Sequence, residues 1–228
     1  MNEIFAADDL RAQVSAASSD LLGRARNAAG IAAAAALVMQ FAETAAARHL
    51  SAEQSGRIAC TAGCGTCCAV NVAVLVPEVV AIAAYLRRTL SPNGLRDVSA
   101  RVAELSRLVS GLEDDERILM RRSCALLDEN GACAIYPVRP LLCRSITSTD
   151  AENCREAFVA PAFGEDAPVL MNLLQKSLFE SAFAGLGDAL QINRLDARSS
   201  KLACVLNDFL HRPERIEDFL AGRPVAAQ

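Results

Sequence analysis

Residues 95–112 read LRDVSARVAELSRLVSGL, with Leu95, Val98, Val102, Leu105, Val109 and Leu112 falling alternately three and four apart. Only an α-helix brings that spacing onto one stripe, so the segment predicts an amphipathic helix packed on a partner. Working outward, Pro77 suits the first position of a preceding helix, which Val79, Ile82, Leu86 and Leu90 continue at helical spacing. Ser91-Pro92-Asn93-Gly94 reads as the turn that ends it, making the two a helical hairpin. Further upstream, residues 9–50 predict one or two helices, with Ile31, Ala34, Val38, Phe41 and Ala45 on one stripe. Downstream, a helix is expected after Pro168 through about Leu190, interrupted or ended near Gly185 and Gly187. Leu202, Val205, Leu206 and Phe209 mark another over residues 201–210, and Pro213 opens a last short one with Ile216, Phe219 and Leu220. Strand signal is confined to the run Val70–Val76 and to a hairpin at Asp128-Glu129-Asn130-Gly131, where Asn-Gly tolerates positive φ. The fold class expected is mainly α: a helical bundle-like protein with short β elements around its cysteine-rich region.

Composition bounds the function classes. Of 228 residues 52% are hydrophobic, but 43 are alanine, so the apolar excess favours helix more than it signals a membrane protein. The most apolar stretch, Ala28–Met39, is 12 residues long against the roughly 20 a span requires, so no membrane span is expected. With 23 basic and 27 acidic residues and no basic run, nucleic acid is not an expected partner. An acidic N-terminus without a secretory h-region points to a cytoplasmic location, where thiols stay reduced. The nine cysteines are odd in number, which leaves a disulfide framework the weaker explanation.

The placement of those cysteines is the informative feature. Cys60, Cys64, Cys67 and Cys68 fall within nine residues, Cys124, Cys133, Cys143 and Cys154 within 31, and Cys204 stands apart. Thiolate ligands must converge within about 2.3 Å of one ion, which favours short spacings on tight turns, and Gly63 and Gly65 let the backbone fold that closely. Clusters of this kind in a reduced chain read as zinc or iron–sulfur sites. Eight thiolates exceed one tetrahedral site, so either two four-cysteine sites or a polynuclear cluster is implied. Adjacent Cys67 and Cys68 should point in different directions and serve different ions or two sides of one cluster. A four-thiolate zinc site, or an oxidised 4Fe-4S cluster, carries a charge of about −2 that needs compensation. Arg139 and Arg144, flanking Cys143, are placed to donate hydrogen bonds to sulfur.

These residues also carry a family resemblance. Cys60-x3-Cys64-x2-Cys67-Cys68, succeeded by the apolar run to Val76 and Glu78, resembles the signature of the YkgJ-like cysteine-cluster family, the CxxxCxxCC domain of zinc- or iron-chelating proteins. Cys124-Ala-Leu-Leu-Asp128-x2-Gly131-x-Cys133-x-Ile135-Tyr136-x2-Arg139-Pro140-x2-Cys143-Arg144 is similar to the second half of that domain, and Ser148–Phe158 with Cys154 is similar to its last stretch. The resemblance covers about residues 57–158 and implies metal chelation by eight cysteines, with Tyr136, Arg139 and Arg144 around them and Cys204 without a counterpart. The domain organisation expected is an N-terminal helical segment (1–56), the cysteine-cluster domain (57–160) and a C-terminal helical segment (161–228) packed on it.

Other readings attach to the same residues. Cys60-x3-Cys64-x2-Cys67 has the spacing of radical S-adenosylmethionine enzymes, and some larger relatives of the family are flagellin lysine N-methylases. That chemistry is normally built on repeated βα units, which this chain does not predict, so the reading leans away from an enzyme. A thiol redox protein is the third class. Among single residues, Tyr136 reads as a packing residue at the edge of the site and Pro140 as a redirection of the chain before Cys143. Cys204 reads as a free thiol on a helix, His49 as a helix-end residue near the last carbonyls, and His211 has no assigned role. No catalytic residue is identified, and neither a protein partner nor an oligomeric state is legible.

Overall fold

The computed structural model describes residues 3–165 and 167–225. Eleven α-helices and one two-stranded ladder account for the regular structure among them. Two 22-residue helices come first, α1 (Glu3–Arg24) and α2 (Ala28–His49), parted where Asn27 caps α2 by accepting a hydrogen bond from Gly30 N at 3.0 Å. A short helix, α3 (Ala52–Gly56), leads into the first cysteine loop. Next come α4 (Val76–Thr89), α5 (Pro92–Val109), α6 (Asp114–Leu119), α7 (Leu141–Ser145) and α8 (Ala151–Val159). The last three helices are α9 (Leu173–Ile192), α10 (Leu202–His211) and α11 (Arg215–Leu220).

The helices share one apolar core that runs from Leu10 in α1 to Val225. α1 packs along α9, and α2 lies against α1, α4 and α9. Gly185 is the point of closest approach: a Cβ there would stand 2.6 Å from the Arg11 carbonyl oxygen and 2.9 Å from Val14 Cγ1. The expected interruption of this helix at Gly185 and Gly187 is therefore absent. The missing side chain of Gly185 serves helix packing, and α9 runs unbroken through both glycines. The apolar stretch Ala28–Met39 likewise continues to His49. At 22 residues and mean hydropathy 1.4, α2 has the length and composition to cross a membrane, but here its Ile31, Ala34, Val38 and Ala42 are buried among the other helices.

Two further expectations change at α5. Ser91-Pro92-Asn93-Gly94 is not a free turn but the start of the helix: Ser91 Oγ accepts from Gly94 N at 3.1 Å and Pro92 takes the first helical position. The stripe Val98, Val102, Leu105 and Val109 is buried as expected, yet its main partner is α10, which packs against both α4 and α5. The predicted strand at Val70–Val76 shrinks to β1 (Ala73–Val74), antiparallel to β2 (Ser200–Lys201) in the register Ala73 to Lys201 and Val74 to Ser200. It ends early because α4 starts at Val76, where Glu78 Oε2 accepts from Leu75 N at 2.9 Å.

Candidate metal centre

The eight cysteines of the two clusters sit on short elements held against the helical core. Cys60 lies beyond α3, where Ala59 N donates to Ser148 O at 2.8 Å and Cys60 Sγ accepts from Ser148 N at 3.3 Å. That contact fastens the first cysteine loop beside the last, 88 residues away in sequence. Gly63, at φ +83°, and Gly131, at φ +74°, carry the left-handed turns that bring the two loops face to face. A Cβ on Gly131 would lie 3.2 Å from Gly63 O, and one on Gly65 3.0 Å from Leu127 Cδ1, so larger residues would wedge the loops apart. Cys67 and Cys68 occupy a 3₁₀ turn, Thr66–Ala69.

The second group is built from a tight loop and two helices. Asp128 Oδ1 accepts from Asn130 N (2.9 Å) and Ala132 N (2.8 Å), closing a turn that is flanked by a single antiparallel bridge between Leu127 and Cys133. The hairpin expected there exists in this reduced form. Pro140 precedes α7 and turns the chain so that Cys143 points back toward Cys124 and Cys133, the redirection its place in the sequence suggests. Glu78 fixes that helix from across the core: its Oε1 accepts from Leu141 N at 2.9 Å while Oε2 holds Leu75 N. Cys154 is buried on α8, whose N-cap Asp150 accepts from Glu152 N and Asn153 N.

The two sequence groups share one electrostatic neighbourhood: Cys154 lies in the field of Cys60, Cys64 and Cys67, Cys68 in that of Cys67, Cys124 and Cys143, and Cys143 in that of Cys124, Cys67 and Cys133. Interaction with the neighbouring Cys68 thiol draws the Cys67 thiol down to about 6, with the positive field of Arg139 assisting against burial. The same interaction, with burial and the other thiols nearby, pushes Cys68 up. Burial pushes Cys124, Cys133, Cys143 and Cys154 up as well. All nine cysteines are free thiols.

Among the described residues no three His, Cys, Asp or Glu side chains stand close enough together to hold an ion in their present rotamers. Sulfurs on one tetrahedral ion lie roughly 3.8 Å apart, closer than these side chains stand. The donor set suits such an ion in kind: soft sulfur ligands, free of disulfides, most of them lining one cavity.

The arginines divide the work differently from their order in the sequence. Arg144 is spent on the protein itself, donating to the carbonyls of Arg139 (3.0 Å), Tyr136 (3.0 Å) and Pro137 (3.3 Å) and pairing with Glu43 at 2.8 Å. Arg139 stacks on the Tyr136 ring at 5.3 Å with its field on Cys67, Cys133 and Cys143, and its buried Nε is unpartnered. Tyr136 is 57% exposed, so it is a platform for Arg139 more than a packed edge residue. Sequence reading missed Arg117. It is 2% exposed on α6, its Nη1 has no hydrogen-bond partner, and it stands beside Cys124. Arg117, Arg139 and Cys64, Cys67, Cys68, Cys124, Cys133 and Cys143 line one cavity of about 230 Å³, closed on its far side by apolar residues of α5 and α10. Cys204 lies on α10 with Sγ 3.9 Å from Ser106 O and is not among the lining residues. His211 Nδ1 is 2.8 Å from Asn207 O, the carbonyl one turn back.

No curated protein and no solved structure matches the chain. Residues 59–160, a little under half of the chain, match the family model named CxxCxxCC and described as a "putative zinc- or iron-chelating domain". The matched segment contains all eight clustered cysteines and ends where α8 ends. The segment 59–160 is thus similar to the CxxCxxCC family, described as a zinc- or iron-chelating domain.

Proposed function

We propose that this protein binds two metal centres through two four-thiol sets: Cys60, Cys64, Cys67 and Cys154 in one, and Cys68, Cys124, Cys133 and Cys143 in the other. The observation that supports the reading is that cysteines of both clusters, Cys64, Cys67, Cys68, Cys124, Cys133 and Cys143, line one cavity, with Cys60 held beside it by Ser148. A bound ion or cluster would tie their segments together, because thiolates from separated parts of the chain meet only in the folded state. Ser148 N holds Cys60, Glu78 holds the helix of Cys143, and Asp128 shapes the loop of Cys133. Arg139, braced by Tyr136, supplies positive charge to the thiols.

The test is the metal and acid-labile sulfide content of anaerobically purified protein, with an absorption spectrum of the same sample. About two zinc ions per chain without sulfide or colour fit two four-thiolate sites in a structural or chelating module. Iron with matching sulfide and a broad band near ~400 nm turns the reading toward iron–sulfur clusters and an S-adenosylmethionine-linked methylase. Metal-free protein with all thiols rapidly titratable refutes both and leaves a thiol redox protein.

A further inference from the structure

We infer that Arg117 is the buried counter-charge of the centre formed by Cys68, Cys124, Cys133 and Cys143, which makes the metal-free state of this site electrostatically frustrated and metal binding its relief. The inference rests on the two-centre reading above and assigns a role to a residue outside the cysteine motif. Arg117 is 2% exposed, and among the described residues no carboxylate pairs with it. Its Nη1 is buried without a hydrogen-bond partner at the edge of the shared cavity. The other walls there are apolar, including Val102, Leu105, Val109 and Leu206, and Lys201 is occupied by the carbonyls of Val109, Ser110 and Leu112. A buried cation with no anion is among the costliest arrangements a fold can hold, and a protein keeps one where an anion comes to it. Cys124 lines the same cavity as Arg117.

Metal binding changes that neighbour. A divalent ion displaces the thiol proton to solvent, and four thiolates on one such ion leave a net charge of about −2. Of the arginines flanking this set, Arg144 is paired with Glu43 and Arg101 is exposed and donates to Leu127 O, so the fully buried charge beside it is Arg117, with the half-buried Arg139, whose field also reaches Cys67, contributing part. The other set, with Cys60 and Cys64 exposed, relies more on solvent, and the cation beside its Cys154 is Arg155.

The test uses the full-length metal-loaded protein and a chromophoric chelator that competes for the metal. Wild type should release its two equivalents in two phases. Arg117→Met keeps the apolar stem, removes the charge and should weaken one equivalent by about 10- to 100-fold, the usual effect of losing a hydrogen-bonding neighbour of a ligand. The other phase should be unchanged, and Arg117→Lys should recover part of the loss. Metal-stripped Arg117→Met should melt no lower than stripped wild type, because an uncompensated buried charge has been removed. Unchanged release of both equivalents in Arg117→Met overturns the inference, as does Arg117→Met that loses stability equally with and without metal. Equal weakening of both phases also overturns it, since the charge would then not belong to one centre. Wild type that binds no metal would instead fail the two-centre reading itself.

Discussion

Replacing Glu78 by Gln tests whether a buried carboxylate really braces the helix that carries Cys143. Glu78 is 4% exposed and its two oxygens accept from Leu75 N and Leu141 N, both at 2.9 Å. Burial raises its pKa from 4.5 to about 7, with the two backbone hydrogen bonds opposing the shift. The folded state thus binds this proton more tightly than the unfolded chain, and stability from Glu78 is fully present below pH 4.5 and lost as pH rises through about 7. Between pH 5 and 8 such a shift corresponds to a loss on the order of 2–3 kcal/mol. Glu78→Gln removes that dependence. It also leaves one backbone N–H facing an amide N–H, at a cost of about 1–3 kcal/mol. The variant should therefore be less stable than wild type at pH 5 and close to it, or more stable, at pH 8. Urea unfolding of both proteins at a series of pH values, with metal content held equal, measures the difference, so that titrating cysteines common to both cancel. A stability difference that stays constant from pH 5 to 8 would refute the reasoning, because it would mean that Glu78 titrates alike in the folded and unfolded chain.

Gly185→Ala should destabilise the protein by about 1–3 kcal/mol in thermal unfolding, since its Cβ would meet Arg11 O at 2.6 Å and force α1 away from α9. Gly131→Ala should lower metal affinity as well as stability, by about 1–2 kcal/mol in the latter, because the residue sits at φ +74° with Gly63 O 3.2 Å from the added carbon; chelator competition and melting on one sample read both effects. Asp128→Ala leaves two turn N–H groups without their acceptor and should cost about 1–2 kcal/mol, with hydrogen exchange accelerating first at Asn130 and Ala132. Stripping the metal should raise hydrogen exchange across the cysteine loops at 59–69 and 124–146 while the α1–α9 pair stays protected, because those helices pack through apolar contacts of their own.

The predicted stripes form the buried faces of their helices at Ile31, Ala34 and Val38, at Val79, Ile82 and Leu86, at Val98, Val102, Leu105 and Val109 and at Leu202, Val205, Leu206 and Phe209, while the stripe members Phe41, Ala45, Leu90, Leu95 and Leu112 are only half-buried. Periodicity is a local property: a side chain three or four residues along returns to the same face whatever lies opposite. The choice of partner is not local, which is why α5 packs on α10 and not in a hairpin with α4, and why Gly185 is a contact point in place of a helix end. The left-handed turn at Gly131 is legible for the same local reason, since glycine adopts positive φ without steric cost.

At the metal centre the division is the same. Eight cysteines at close spacings, set among glycines and joined by Arg139-Pro140, identify a chelating module from the residue types alone, because sulfur chemistry belongs to the side chain. Which sulfurs share a set depends on how loops far apart in sequence are docked: Ser148 on Cys60, Gly63 against Gly131, and Glu78 between the ends of α4 and α7. Arg117 shows the limit most plainly. In sequence it is one arginine in an acidic turn, Asp114-Asp115-Glu116-Arg117, indistinguishable from a solvated charge. Only the packing of α6 turns it inward toward Cys124, and burial, which strips away water and leaves charge to be answered by the protein or its ligand, is decided by the whole fold.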